Sequence, residues 1–122
     1  MSYSKIKKIK LSKYDKIWSQ FVRERDGECL YCGKKEYLAA HHFKGRSCKA
    51  TRLLLINGIT LCASHHTFNH QFSAHRTPEA FERWFKKEYP DHWKEIRKRA
   101  QVMMSEREAI KEFIEEYNLD AI

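Results

Sequence analysis

Histidine and cysteine are bunched in this chain. His41 and His42 are adjacent, Asn57 follows in a loop five residues ahead of Cys62, and Cys62-x2-His65-His66-x3-His70 closes the run. Upstream, Cys29 and Cys32 form a Cys-x2-Cys knuckle. On a helix of about 3.6 residues per turn, His66 and His70 share one face, the spacing of paired metal-binding histidines. Cys62 and His65, three apart, share another face, and the adjacent His65 and His66 point roughly 100° apart. Each of that pair can therefore serve a different ion. Cys29, Cys32, Cys62 and His65 are the candidate ligands of one structural zinc, which accepts three thiolates and an imidazole as readily as four thiolates. A single histidine is ordinarily surface or satisfied core, but five of the seven fall within residues 41–70. Metal binding accounts for that concentration. An all-imidazole second site suits Zn2+, Ni2+ or Mn2+ better than Mg2+, which prefers oxygen ligands. His75 and His92 lie outside the pattern. Cys48 is either a free thiol or a substitute for His65 on zinc.

These residues resemble the motif of the HNH endonucleases, the ββα-metal or His-Me finger nucleases, over roughly residues 29–72. The match comprises the Cys-x2-Cys knuckle, the His-His pair, Asn57 ahead of Cys62 and the terminal histidine pair. The stretch over residues 14–52, with Phe21-Val22-Arg23-Glu24-Arg25-Asp26-Gly27 before the first cysteine and Lys49-Ala50-Thr51-Arg52 before the Asn, is similar to phage recombination-associated HNH proteins. One departure is His65, where such knuckles usually end in Cys. The resemblance implies an α+β fold, mostly helical, with a ββα-metal core and zinc knuckle flanked by an N-terminal helix and C-terminal helices. It implies a DNA endonuclease in which His42 is the general base, His41 a metal ligand, and Asn57 the residue that pins the loop and orients the base. His66 completes the motif on the helix, and His70 looks like a third ligand. The implied cofactors are the structural Zn2+ and a catalytic divalent ion (Zn2+, Ni2+, Mn2+ or Mg2+) that stabilises the phosphorane and the leaving 3′ oxygen. A neutral histidine can take the proton from water near pH 7. The alternative is a non-catalytic zinc-stabilised nucleic-acid-binding or recombination accessory module. A binder needs the cysteines but not His42.

The elements that must position these residues are partly legible. Residues 12–27 read as a helix: Ser12 with Asp15 resembles a capping box, Gly27 a natural residue just past the end, and Tyr14, Ile17, Trp18, Phe21 and Val22 one apolar stripe. Lys16, Arg23 and Arg25 lie off that stripe, free for phosphate. Residues 38–43 read as a strand delivering His41 and His42. Residues 44–52 form a basic loop without an acid, in which Lys44, Arg46, Lys49 and Arg52 are the candidate DNA contacts. Residues 53–56 are apolar but too short to assign. Asn57-Gly58 is a turn signal, residues 59–61 a second strand, and residues 62–72 the helix of the metal ligands. Thr77-Pro78-Glu79 starts a further helix whose buried face is Phe81, Trp84 and Phe85, broken at Tyr89-Pro90. The next, over residues 90–104, buries Trp93, Ile96, Ala100 and Met103. Ser105 with Glu108 is a second capping box, opening a last amphipathic helix with Ala109, Ile110, Phe113, Ile114 and Tyr117 inward. That helix belongs to the core or pairs with a second subunit, so the chain is a monomer or a homodimer.

At 122 residues, 42% hydrophobic and 13% aromatic, the chain suits one globular domain. We divide it into a basic N-terminal arm (1–13), the knuckle and metal core (14–76) and C-terminal helices (77–122). Net charge is +8, but residues 101–122 carry six acids and two bases, leaving +12 on residues 1–100. Such a body suits DNA through counterion release, with low sequence specificity. The arm, with five lysines and no acid, is either a solvated end or a further contact to DNA backbone. The N-terminal lysines are not followed by an apolar run, and no stretch reaches the roughly 20 apolar residues of a membrane span. The expected location is the cytoplasm, that of the host if the gene is phage-borne. There, the Cys-x2-Cys with the Cys-x2-His downstream reads as zinc rather than as disulfides.

Overall fold

A computed structural model describes residues 3–119, with side chains from Ser12 onward. It is α+β and mostly helical. Helix α1 spans Tyr3–Asp26, strand β1 Leu38–His42, the short helix α2 Lys49–Arg52 and strand β2 Gly58–Cys62. Helices α3 (Pro78–Glu88), α4 (Pro90–Arg99) and α5 (Glu106–Tyr117) complete the chain. β1 and β2 pair antiparallel, with His41 opposite Ile59 and His42 opposite Gly58.

The sheet divides the core by the two-residue alternation of strands. Ile59 and Leu61 point into a cluster with Phe81, Phe85 and Ile96 from α3 and α4. Gly58 and Thr60 face α1: the Thr60 hydroxyl donates to the Val22 carbonyl (3.2 Å), and Trp18 and Val22 lie against the Gly58 Cα. The apolar stripe of α1 packs on α5, Tyr14 and Phe21 meeting Phe113 and Tyr117. The last helix therefore belongs to the core of its own chain. Its N-terminus carries the full capping box, Ser105 and Glu108 each bonding the other's backbone N–H (3.1 Å both).

Several sequence expectations change. α1 starts at Tyr3, so Ser12 is inside the helix and caps nothing; Asp15 instead pairs with Arg52. Of the arm's lysines, the candidate contacts to DNA backbone, Lys5, Lys7, Lys8 and Lys10 lie outside the described side chains, Lys13 Nζ sits 5.9 Å from the Tyr14 ring centroid, and Met1 and Ser2 lie outside the described residues. Gly27 does end α1, at φ 70°, its N–H donating to Arg23 O (2.8 Å). Arg25 is not free: its guanidinium donates to Leu55 O (2.8 Å) and Gly58 O (2.7 Å) and pairs with Asp26. The apolar run before Asn57 closes in a 3-10 turn over Leu55–Asn57. Thr77 does not cap α3, because its hydroxyl donates to Ser73 O and accepts from Ser73 N–H (2.9 Å both). α4 ends at Arg99 rather than 104, and Met103 is 94% exposed instead of buried. Among the described residues, no helix is long and apolar enough to cross a membrane.

Candidate metal centres

The knuckle is built on β2. Cys29 N–H donates to Lys34 O (2.8 Å), Gly33 N–H to Cys29 O (2.8 Å), and Leu30 N–H to Thr60 O (3.0 Å). Gly33 takes φ 81°, the left-handed turn that brings two thiols of a Cys-x2-Cys together. Cys62 at the end of β2 and His65 in the turn beyond complete the group. One ligand atom from each of Cys29, Cys32, Cys62 and His65 lies within 4.8 Å of the others. Tetrahedral zinc, from its bond lengths to sulfur and nitrogen, sets S···S at ~3.8 Å and S···N at ~3.5 Å. Here Cys32 Sγ lies 3.8 Å from Cys62 Sγ, and Cys62 Sγ 3.3 Å from His65 Nδ1. Burial raises the Cys29 thiol, but backbone N–H donors from Cys62, Cys32 and Tyr31 outweigh it and hold the pKa below the ordinary value. Burial lowers His65, favouring the neutral imidazole that a metal needs. This group could hold a structural metal. Cys48 is not part of it: its carbonyl accepts from Thr51 N–H and Oγ1 at the start of α2 (3.3 Å both).

A second group gathers His41, His66 and His75 within the same 4.8 Å. His41 projects from β1 toward α3, against Phe81 (ring centroids 5.2 Å). His66 Nε2 and His75 Nε2 approach to 3.1 Å, close to the ~3.3 Å that two imidazoles take on one tetrahedral zinc. Burial first, then the neighbouring imidazoles, lowers His41 to about 3, and burial also lowers His66. Both stay neutral and able to ligate near pH 7.

The expected third ligand, His70, is not brought there. Residues 62–72 do not form one helix. A π-turn spans Ser64–Phe68, closed by Asn69 N–H to Ser64 O (2.8 Å), and Asn69 leaves it in extended backbone. The Asn69 side chain then caps a turn of its own, accepting from the N–H of Gln71 (2.8 Å) and Phe72 (2.9 Å). His70 is exposed, its Nδ1 3.5 Å from Arg76 Nη1. The chain doubles back instead. Phe72 stacks on Tyr31 of the knuckle (3.8 Å, 10°), and the N–H groups of Ala74 and His75 donate to His65 O (2.9 Å) and His66 O (3.1 Å). That return places His75. Its spacing from His66 fits no helical period; the one sequence signal was Asn69, a residue that ends turns.

His42 faces the other side of β1. Its ring stacks on Trp18 (centroids 3.8 Å, 9°), and Trp18 is held by its Nε1–H to Leu54 O (2.8 Å). His42 Nε2 lies 3.0 Å from Arg52 O. A carbonyl only accepts, so Nε2 carries the hydrogen and neutral His42 exposes a lone pair at Nδ1. Burial, then the Arg46 charge, lowers the pKa to about 4 despite the opposing pull of Asp15. Asn57 is fully buried. Its Oδ1 accepts from Lys44 N–H (2.8 Å) and its Nδ2 donates to Lys44 O (3.0 Å), clamping the segment just after His42.

The basic segment divides. Arg52 makes a two-point ion pair with Asp15, Nε to Oδ1 at 3.0 Å and Nη2 to Oδ2 at 2.5 Å, and its side chain is 17% exposed. Lys49 pairs with Glu106 (3.5 Å). Each is thus paired with an acid from a distant helix. Lys44 and Arg46 are exposed and belong to none of the ion pairs among the described residues.

Fold and site together define an α+β chain, mostly helical, with a two-stranded sheet and a Cys/His group able to hold a metal. No family model matches it, and no curated protein or solved structure does either.

Proposed function

We propose that the chain is a metal-dependent DNA endonuclease of the HNH kind, with β1, β2 and the π-turn as its ββα-metal core. The observation that carries this reading is the pairing of His42 with Arg52 O, which leaves Nδ1 as a base, one residue from a three-histidine group. A zinc-stabilised binder has no use for a histidine fixed in that tautomer. His41, His66 and His75 would hold the divalent ion, and their mutual distances and neutral imidazoles fit one. Bound there, the ion supplies positive charge against the crowded phosphate and the departing 3′ oxygen.

The remaining roles fall to the chain itself. β1 ends at His42, so the imidazoles of His41 and His42 stand on opposite faces at one end of the strand. A backbone phosphate lying across that end meets both. His42 Nδ1 takes the proton from the attacking water; its N–H to Arg52 O fixes the ring and stabilises the imidazolium that forms. Trp18 holds the ring plane, and Asn57 holds the next residues in place. Lys44 and Arg46 neutralise neighbouring phosphates, which gives affinity without reading sequence.

The test is His42→Ala. Both metals should stay bound, DNA affinity should stay near normal, and nicking of supercoiled plasmid should fall by about 10²–10⁴. A wild-type chain that cuts no DNA with any divalent metal would return the protein to the binding-module reading.

A further inference from the structure

We propose that the cavity beside the three-histidine group receives one unstacked nucleobase from the DNA strand whose phosphate lies at that group. This rests on the nuclease reading and extends it to a class of substrate. The cavity is half open, measures about 310 Å³ and is lined by His41, Phe43, Lys44, Phe81, Glu82 and Trp93, among others. It therefore shares His41 with the histidine group. Its aromatic walls are set: Phe43 stacks on Phe85 (4.1 Å, 19°) and meets Trp93 edge-on (5.6 Å, 73°), while Phe81 meets His41 edge-on (5.2 Å, 87°).

A phosphodiester alone gains nothing from such walls. Phosphate is held by Lys and Arg, whereas a base offers a π-face to rings and an amino edge to a carboxylate. Both polar partners are present. Lys44 lies at the edge next to β1, its backbone clamped by Asn57 (2.8 and 3.0 Å), where a flanking phosphate would sit. The Glu82 carboxylate is half exposed, anchored by Lys86 Nζ at 2.9 Å, and keeps a second oxygen for a base N–H. Lys86 Nζ in turn covers the Trp93 ring (4.2 Å to the centroid). The cavity is at the low end of small-ligand pockets, roughly 300–1,000 Å³, and a base reaches its walls only by turning out of the duplex. A duplex base must therefore leave its stack, which costs least when it is mismatched or already unpaired. The substrate class is DNA with an unpaired nucleotide beside the scissile phosphate.

The probe is 2-aminopurine in an oligonucleotide duplex, placed opposite thymine or opposite an abasic residue, and titrated with the full-length zinc-bound chain without a turnover metal. The unpaired form should bind roughly 5- to 150-fold more tightly, the range of one base–aromatic stack, with its fluorescence quenched on binding. Trp93→Leu and Glu82→Gln should each shrink that preference; if Trp93→Leu does not fold, the half-exposed Glu82 carries the comparison. Equal binding of the two duplexes with no quenching overturns the proposal, whether or not the protein cuts DNA. So does an undiminished preference in the variants. Quenching with no cleavage under any divalent metal keeps the base site and removes the nuclease reading instead.

Discussion

Adding one methyl group at Gly58 tests how His42 is held. Gly58 stands opposite His42 in the sheet, on ordinary extended backbone (φ −102°, ψ 140°). Its need for glycine is steric. A Cβ there would lie 2.5 Å from Val22 Cγ2, 2.6 Å from Trp18 Cζ2 and 3.1 Å from Trp18 Cη2. Carbon atoms settle at about 3.5–4.0 Å, so α1 has to retreat by roughly 1 Å. Trp18 and Val22 cannot swing aside, being 1% and 0% exposed, and Trp18 is tied to Leu54 O. Overpacking of this kind costs about 1–3 kcal/mol. For a chain of this size, at about 3–5 °C per kcal/mol, Gly58→Ala should lower Tm by roughly 3–15 °C. Gly45→Ala, where a Cβ meets nothing within 4 Å, is the control and should stay near wild type. The displaced Trp18 also carries the ring stacked on His42. Well below Tm, cleavage by Gly58→Ala should therefore fall further than its folded fraction. A Tm equal to that of Gly45→Ala would refute the tight contact. A normal Tm deficit with wild-type cleavage would show that Trp18 does not position His42.

Replacing Cys29 with Ser should release one zinc and unfold the domain, since a structural zinc contributes about 10–16 kcal/mol in small finger peptides against a typical stability of about 5–15 kcal/mol; unchanged metal content and Tm would remove Cys29 from the ligand set. His75→Ala should lose the second metal while His70→Ala keeps it, measured as metal equivalents after dialysis, and the reverse result would mean that residues 69–76 do not double back. Lys44→Gln with Arg46→Gln should flatten the plot of log affinity against log salt by about 1.8 units, at ~0.9 per phosphate contact. Lys49→Gln with Arg52→Gln should leave that slope nearly unchanged but lower Tm by stranding Asp15, and equal slopes from the two pairs would put DNA along α2 as well.

What could be read from the chain was whatever a local period or a capping pair encodes. The stripe from Tyr14 to Val22, the Ser105–Glu108 box and the Cys-x2-Cys turn each involve residues close in sequence, and each is found in the fold. His75 could not be read this way, because it reaches the histidine group through two backbone bonds to residues 65 and 66 and a ring stack on Tyr31. The helical spacing of His66 and His70 points elsewhere, because it holds only for a helix that runs past Asn69.

The same limit explains the basic segment and Gly58. Lys44, Arg46, Lys49 and Arg52 look alike as a run of charge. Only the packing of α1 and α5 against α2 brings Asp15 to Arg52 and Glu106 to Lys49, leaving the other two for solvent or phosphate. Asn57-Gly58 reads as the centre of one turn, but the two residues do different things: Asn57 ends the 3-10 turn as a buried clamp on Lys44, and Gly58 is a strand residue without a side chain because Trp18 fills that space. In both positions, the residue type follows from what stands opposite His42 and just beyond it. With His42 as the base, these two neighbours hold its geometry, and activity should tolerate their substitution poorly.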